Sequence, residues 1–331
     1  MSNIALSQDF LKSSKIRKLA YAERIGINVR ASNVSDAVSK ISSIADSGFR
    51  QVWFTSSGSM YRDTLTLLAA VAASVDKIRL GTSIVQAYTR HPVATAQQAL
   101  AINDLAPGRF RLGIGVSHRH IIEEQYGIKM NEPLKYLREY VTSLRQLLYN
   151  GSSEFQGKYF NLKVKTDQIA RIPILIAALG SKTFELAGEI SDGAISWMCP
   201  ISYLTEKALP AMKSGAAEAG RDMPPIVAHI MVAVSEDRPA VIASAEERVR
   251  QYARMPFYYN MFRNAGYDLA NDSSSYSKLA EALTIWGSKE EIVQKIKDVL
   301  KSLDEILLMH IPVKNEKEEF SHLLQIIRQL N

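Results

Sequence analysis

The chain has 331 residues, 47% of them hydrophobic, a single cysteine, and a formal charge of +6 from 40 basic and 34 acidic side chains. That is enough apolar material for a large core, while one cysteine, Cys199, excludes an internal disulfide and a cysteine-built metal site and fits a reducing, cytoplasmic location. Basic residues cluster only at Lys15-Ile16-Arg17-Lys18, too sparse for a nucleic-acid stripe, and no stretch nears the roughly 18 apolar residues of a membrane helix. The expected partner is therefore a small molecule, without nucleic acid or membrane.

Residues 1–23, polar and basic, read as an N-terminal arm, and residues 24–331 as one domain. Strand-like runs follow at 24–29, 51–54, 78–83, 110–114, 173–177, 194–197, 226–234 and 305–311. Helical patterns alternate with them. Leu134, Leu137, Val141, Leu144 and Leu148, for example, recur three or four apart with charged residues between. Eight such repeats predict an α/β fold, a closed (β/α)8 TIM barrel with insertions. An open dinucleotide-binding sheet needs a glycine fingerprint after the first strand, and Ile27-Asn28-Val29-Arg30-Ala31-Ser32 has none. In a barrel the site lies at the carboxyl ends of the strands, where Ser83, Gly115 and Ala178 fall.

Two segments exceed the usual unit. Residues 151–171 predict a hairpin turning at Gln156-Gly157 before the fifth strand. Residues 255–286 are aromatic at Phe257, Tyr258, Tyr259, Phe262 and Tyr267, then polar at Asn271-Asp272-Ser273-Ser274-Ser275. They fit a lid, a subunit surface or plain packing.

The six histidines show no zinc-helix spacing, and neither a Gly-x-Ser-x-Gly elbow nor a Walker loop occurs, so no metal site is expected. His118 and His120 follow Ser117, where a loop or first helical turn sends residues two apart in different directions. What remains is a rim of small residues: Gly81-Thr82-Ser83, Gly113-x-Gly115-x-Ser117, and Ala177-Ala178-Leu179-Gly180-Ser181-Lys182-Thr183. The last opens a helix, whose free N–H groups and the Ser181, Lys182 and Thr183 side chains suit a phosphate. The same residues also fit a simple turn with a serine cap, and Gly113 and Gly115 fit strand-end packing as well as ligand approach.

The ordered set Ile78-Arg79-Leu80-Gly81-Thr82, Arg90-His91-Pro92, Pro107-Gly108-Arg109-Phe110-Arg111-Leu112-Gly113-Ile114-Gly115, Leu137-Arg138-Glu139-Tyr140 and Ile176-Ala177-Ala178-Leu179-Gly180 resembles the bacterial-luciferase-like flavin and deazaflavin oxidoreductase superfamily. Leu112-Gly113-Ile114-Gly115-x-Ser117-His118-Arg119 and Ser196-Trp197-Met198 are similar to a subgroup assigned to the deazaflavin coenzyme F-420. The resemblance implies a homodimer and a non-prolyl cis peptide after the third strand, here Ser83 to Ile84, with neighbouring Gln86, behind the cofactor ring. It further implies that Gly115, Val116, Ser117 and His118 border the cofactor and that Ala178, Leu179, Gly180, Ser181, Lys182 and Thr183 hold its phosphate. Ser56 and Ser57 stand where well-studied deazaflavin dehydrogenases and reductases carry Asp-His. A serine hydroxyl near neutral pH offers hydrogen bonds but no proton transfer of the histidine kind. His118 is then the nearest candidate acid or base.

The resemblance thus implies an F-420-dependent oxidoreductase that exchanges a hydride with a small organic substrate in a pocket bordered by Ser56, His118 and Trp197. Trp197 also fits core packing. Two alternatives stay open: a monooxygenase using reduced FMN and oxygen, and a non-catalytic barrel that binds a flavin or an apolar ligand. Val116 occupies the place where some flavin-using relatives carry an arginine for the FMN phosphate, which favours the deazaflavin.

Overall fold

A computed structural model describes residues 11–55 and 62–330. Eight parallel strands form the barrel: β1 (Ile25–Val29), β2 (Gln51–Phe54), β3 (Arg79–Thr82), β4 (Phe110–Gly115), β5 (Ile174–Ala177), β6 (Gly193–Ser196), β7 (Ile226–Ala233) and β8 (Glu305–His310). Each pairs with the next, and β8 pairs with β1 through Ile25↔Ile306 and its neighbours, so the ring closes as expected. Buried on both faces, these strands read as continuous apolar runs. Two short strands were not foreseen. Val85–Gln86 pairs with the end of β4, and Thr284–Trp286 pairs with the end of β7. Segments of two or three residues carry no periodicity to detect.

The amino-terminal end of the barrel is plugged by Trp53, which is 1% exposed and packs against Gly26 and Gly81. Its Nε1 donates to Gln51 Oε1 at 3.1 Å, and the Arg111 guanidinium lies 4.6 Å from its ring centre. Arg111 in turn grips the buried Glu305 carboxylate with bonds of 2.7 and 2.8 Å. This paired fork occupies the floor, and the large cavity lies at the opposite end.

The described part of the arm, residues 11–24, folds against the same floor. Ile16 is buried, and Asp304 accepts bonds from Ser13 Oγ and Arg17 Nε, both 2.6 Å, and from the Ile226 N–H at 2.9 Å. Arg24 donates to the carbonyls of Leu300, Leu303 and Asp304. The segment 151–171 forms the expected hairpin, Ser152–Gln156 against Asn161–Lys165. The Glu139 carboxylate holds its turn, accepting from the Lys158 and Tyr159 N–H groups at 3.1 and 2.7 Å. Among the described residues no helix is long and apolar enough to cross a membrane.

Candidate active site

At the carboxyl ends of the strands lies a cavity of about 500 Å³. One wall is Ser83, Ile84, Gln86, Val116 and Ser117, and the peptide between Ser83 and Ile84 is cis, as the resemblance implied. Ser117 takes a positive φ of 64°, which breaks β4 and lets its hydroxyl accept from Gln86 Nε2 at 3.1 Å. The floor is polar where three strands end together. Asn28 Nδ2 donates to Thr55 Oγ1 at 2.6 Å and to Ser83 Oγ at 3.1 Å, and the two hydroxyls are 3.3 Å apart. This use of both amide protons leaves Asn28 Oδ1 without a hydrogen-bond partner among the described residues.

Ala177, Ala178, Leu179, Gly180 and Thr183 continue the wall into the helix Ser181–Ile190. That helix starts without a side-chain cap, and the Ser181 and Lys182 N–H groups have no partner among the described residues. They are the orphan donors that an anion satisfies at a helix start. A Cβ on Gly180 would meet open space, so a ligand has room there. The opposite wall and roof are aromatic. Trp197 stands edge-on to His229 with centroids 5.4 Å apart and to Tyr252 at 5.6 Å, and Tyr252 meets Tyr258 at 4.7 Å. Phe257 and Tyr258 come from the helix Pro256–Asn264, so part of the aromatic insertion covers the cavity while Phe262 packs in the core. Among the described lining residues no carboxylate occurs, and Arg30, at the rim, is the one strong cation.

The geometry therefore gathers most of the expected residues and leaves some out. Gly115 does not line the cavity: a Cβ there would press on Ala177 and Ile84, at 2.8 and 3.0 Å, so its role is to let those residues close. Ser181 and Lys182 offer backbone rather than lining side chains. Ser56 and Ser57 lie outside the described residues. His118 lines the cavity with its Nδ1 buried and unpartnered among the described residues, and burial, then His120, lowers its pKa to about 4. At neutral pH it is an uncharged ring. His118 and His120 do not diverge as expected; at the start of the turn that runs into the π-helix Ile121–Gln125 their rings stack 5.8 Å apart. Trp197 lines the cavity, its Nε1 also buried without a partner among the described residues.

Sequence reasoning missed Asn28, Thr55 and His229. The first two carried one signal, a polar side chain at or just beyond a barrel strand's carboxyl end.

The profile of the luciferase-like monooxygenase family matches residues 21–304. The chain belongs to that family. Among luciferase-like proteins it is 29% identical over 289 residues to a putative coenzyme F-420-dependent oxidoreductase of Mycobacterium tuberculosis, covering 78% of this chain and 80% of that one. The coenzyme F-420-dependent tetrahydromethanopterin reductase of Methanopyrus kandleri superposes with a TM-score of 0.71 at 22% identity, over 92% of this chain and 97% of that one. A type II Baeyer-Villiger monooxygenase component encoded on the CAM plasmid of Pseudomonas putida, solved with FMN, gives 0.71 at 15% identity, over 92% and 96%. At these identities the structural likenesses establish a shared luciferase-like barrel. This membership makes the chain an oxidoreductase.

Proposed function

We propose that this luciferase-like protein is an oxidoreductase dependent on coenzyme F-420 that exchanges a hydride with a small organic substrate. The reading is supported above all by the continuity of the cavity from the apolar wall at Ile84 and Val116 to the uncapped helix start at Gly180 and Ser181. A flat ring fits the first part and a phosphate the second. The relative from Mycobacterium tuberculosis favours the deazaflavin.

When bound, the deazaflavin would supply the hydride-exchanging carbon. The residues of the chain bind and orient. Ser83, Ile84 and Val116 back the ring, and Gln86 and Ser117, already paired, offer polar contact at its side. The Ser181 and Lys182 N–H groups and Thr183 take the phosphate, with the helix dipole favouring its charge. Trp197, Phe257 and Tyr258 exclude water from the substrate side. His118, uncharged at neutral pH, contributes a hydrogen bond rather than a cationic acid.

A second reading, a monooxygenase using FMN, is favoured by the FMN-bound structural relative, and nothing in the phosphate turn is particular to one cofactor. Titrating the purified protein with F-420 and with FMN, followed by absorbance and tryptophan fluorescence, decides between them. Tighter F-420 binding is expected, and tighter FMN binding overturns the first reading. The same reading carries a homodimer, tested by light scattering, and a cytoplasmic location, consistent with the single buried Cys199.

A further inference from the structure

His229 lies in the middle of β7, a strand buried along its whole length, and its ring reaches the cavity. Nδ1 is 2.9 Å from the Ser196 carbonyl oxygen. A carbonyl oxygen only accepts, so the proton sits on Nδ1 and Nε2 carries a lone pair. Nε2 has no hydrogen-bond partner among the described residues and is not sealed off from the cavity.

We propose that His229 Nε2 selects the substrate by accepting a hydrogen bond, so the substrate presents a hydroxyl or N–H group from an apolar, ring-bearing body. The inference deepens the reading above: it rests on the cavity being the substrate chamber and is independent of which flavin is used. A ligand carbonyl or carboxylate at the same place would set lone pair against lone pair, whereas a donor satisfies an acceptor that otherwise stays unpaired in a buried wall. The apolar body follows from the neighbours. Trp197 stands edge-on at 5.4 Å, Tyr252 and Tyr258 extend the aromatic wall, and no carboxylate among the described residues lines the chamber to receive a cationic substrate. The ring itself stays neutral at physiological pH, since burial lowers its pKa to about 4.

Two measurements on the cofactor-free full chain test this. In the first, the protein is labelled with ¹⁵N-histidine and long-range ¹H–¹⁵N spectra are taken at neutral pH, His229 being assigned by its loss in His229→Gln. A protonated Nδ1 and bare Nε2 are expected; a proton on Nε2 overturns the proposal whether or not any ligand is found. In the second, calorimetry compares menthol with menthone, two bodies of one shape that differ in donor against acceptor. Menthol is expected to bind at least about tenfold more tightly, and the gap to close in His229→Phe. Menthone binding as tightly as menthol, or a gap that survives in the variant, overturns it. If F-420 fails to bind while the menthol preference holds, the cofactor reading falls and this one stands.

Discussion

Gly81 and Trp53 share a single space at the bottom of the barrel: a Cβ on Gly81 would overlap the six-membered ring of Trp53. Trp53 cannot retreat, because Gly26 sits behind its pyrrole edge and Gln51 holds its Nε1. Gly81→Ala is therefore expected to cost about 3 kcal/mol, the upper part of the usual range for overpacking. Urea denaturation measures it, and an unchanged midpoint would refute the plug.

The floor also predicts acid sensitivity. Burial pushes the Glu305 carboxyl upward, but Arg111, Gln51 and Arg79 outweigh it and hold it below the usual carboxylate range. A carboxylate held low in the folded state contributes stability above its unfolded pKa, about 4.3, and loses it as pH falls through the folded value. Glu305→Gln should flatten the acid limb of a stability-against-pH curve. Arg111→Met, which strands the buried carboxylate, should cost roughly 3–5 kcal/mol at neutral pH.

Three histidines act over a higher window, His310 among them, its pKa lowered chiefly by burial. His118 and His229 are both lowered to about 4, chiefly by burial. Above the ordinary histidine value, near 6.5, folded and unfolded chains are alike in proton binding at these sites. Between there and about 4 the unfolded chain takes up protons that the folded one refuses, so stability falls with pH by at most about 3 kcal/mol for each ring. His229→Gln should remove one ring's share of that slope and leave those of His118 and His310, read from urea midpoints at successive pH values.

Asp304 is a central anchor of the arm, beside the Lys12–Asp222 ion pair and the Arg17 bond to the Ser302 carbonyl. Asp304→Ala removes the acceptor of Ser13, Arg17 and the buried Ile226 N–H. A loss of about 3 kcal/mol is expected, with faster cleavage of the arm under limited proteolysis. An arm equally resistant in the variant would show that Asp304 is not its anchor.

What was legible in the sequence follows from how each residue is used. Barrel strands buried on both faces announce themselves as apolar runs between turn residues, so β1 to β8 could be read one by one. The cavity wall at Ser83, Val116 and Leu179 was legible through small residues at strand ends and through resemblance. Asn28 and Thr55 were not, because each is unremarkable alone and gains meaning only when closure of the ring places β1, β2 and β3 side by side. His229 stayed hidden because a histidine inside an apolar strand reads as core. Its role depends on a bond to Ser196, 33 positions away in sequence. In the aromatic insertion, Tyr258 and Phe262 belong to one helix yet serve different surroundings, which composition cannot separate.

The helix that presents the proposed phosphate turn, Ser181–Ile190, crosses the helix Leu209–Glu218 at Gly188 and Gly215, where a Cβ on either would collide with the backbone of the other. The two helices thus meet main chain to main chain, with no side chain between them to yield. A contact of that kind acts as a fixed bearing: the turn's amide groups hold their place relative to the barrel whatever the rim residues become. Rim substitutions can then reshape the cavity without moving the uncapped amide groups proposed to receive an anion.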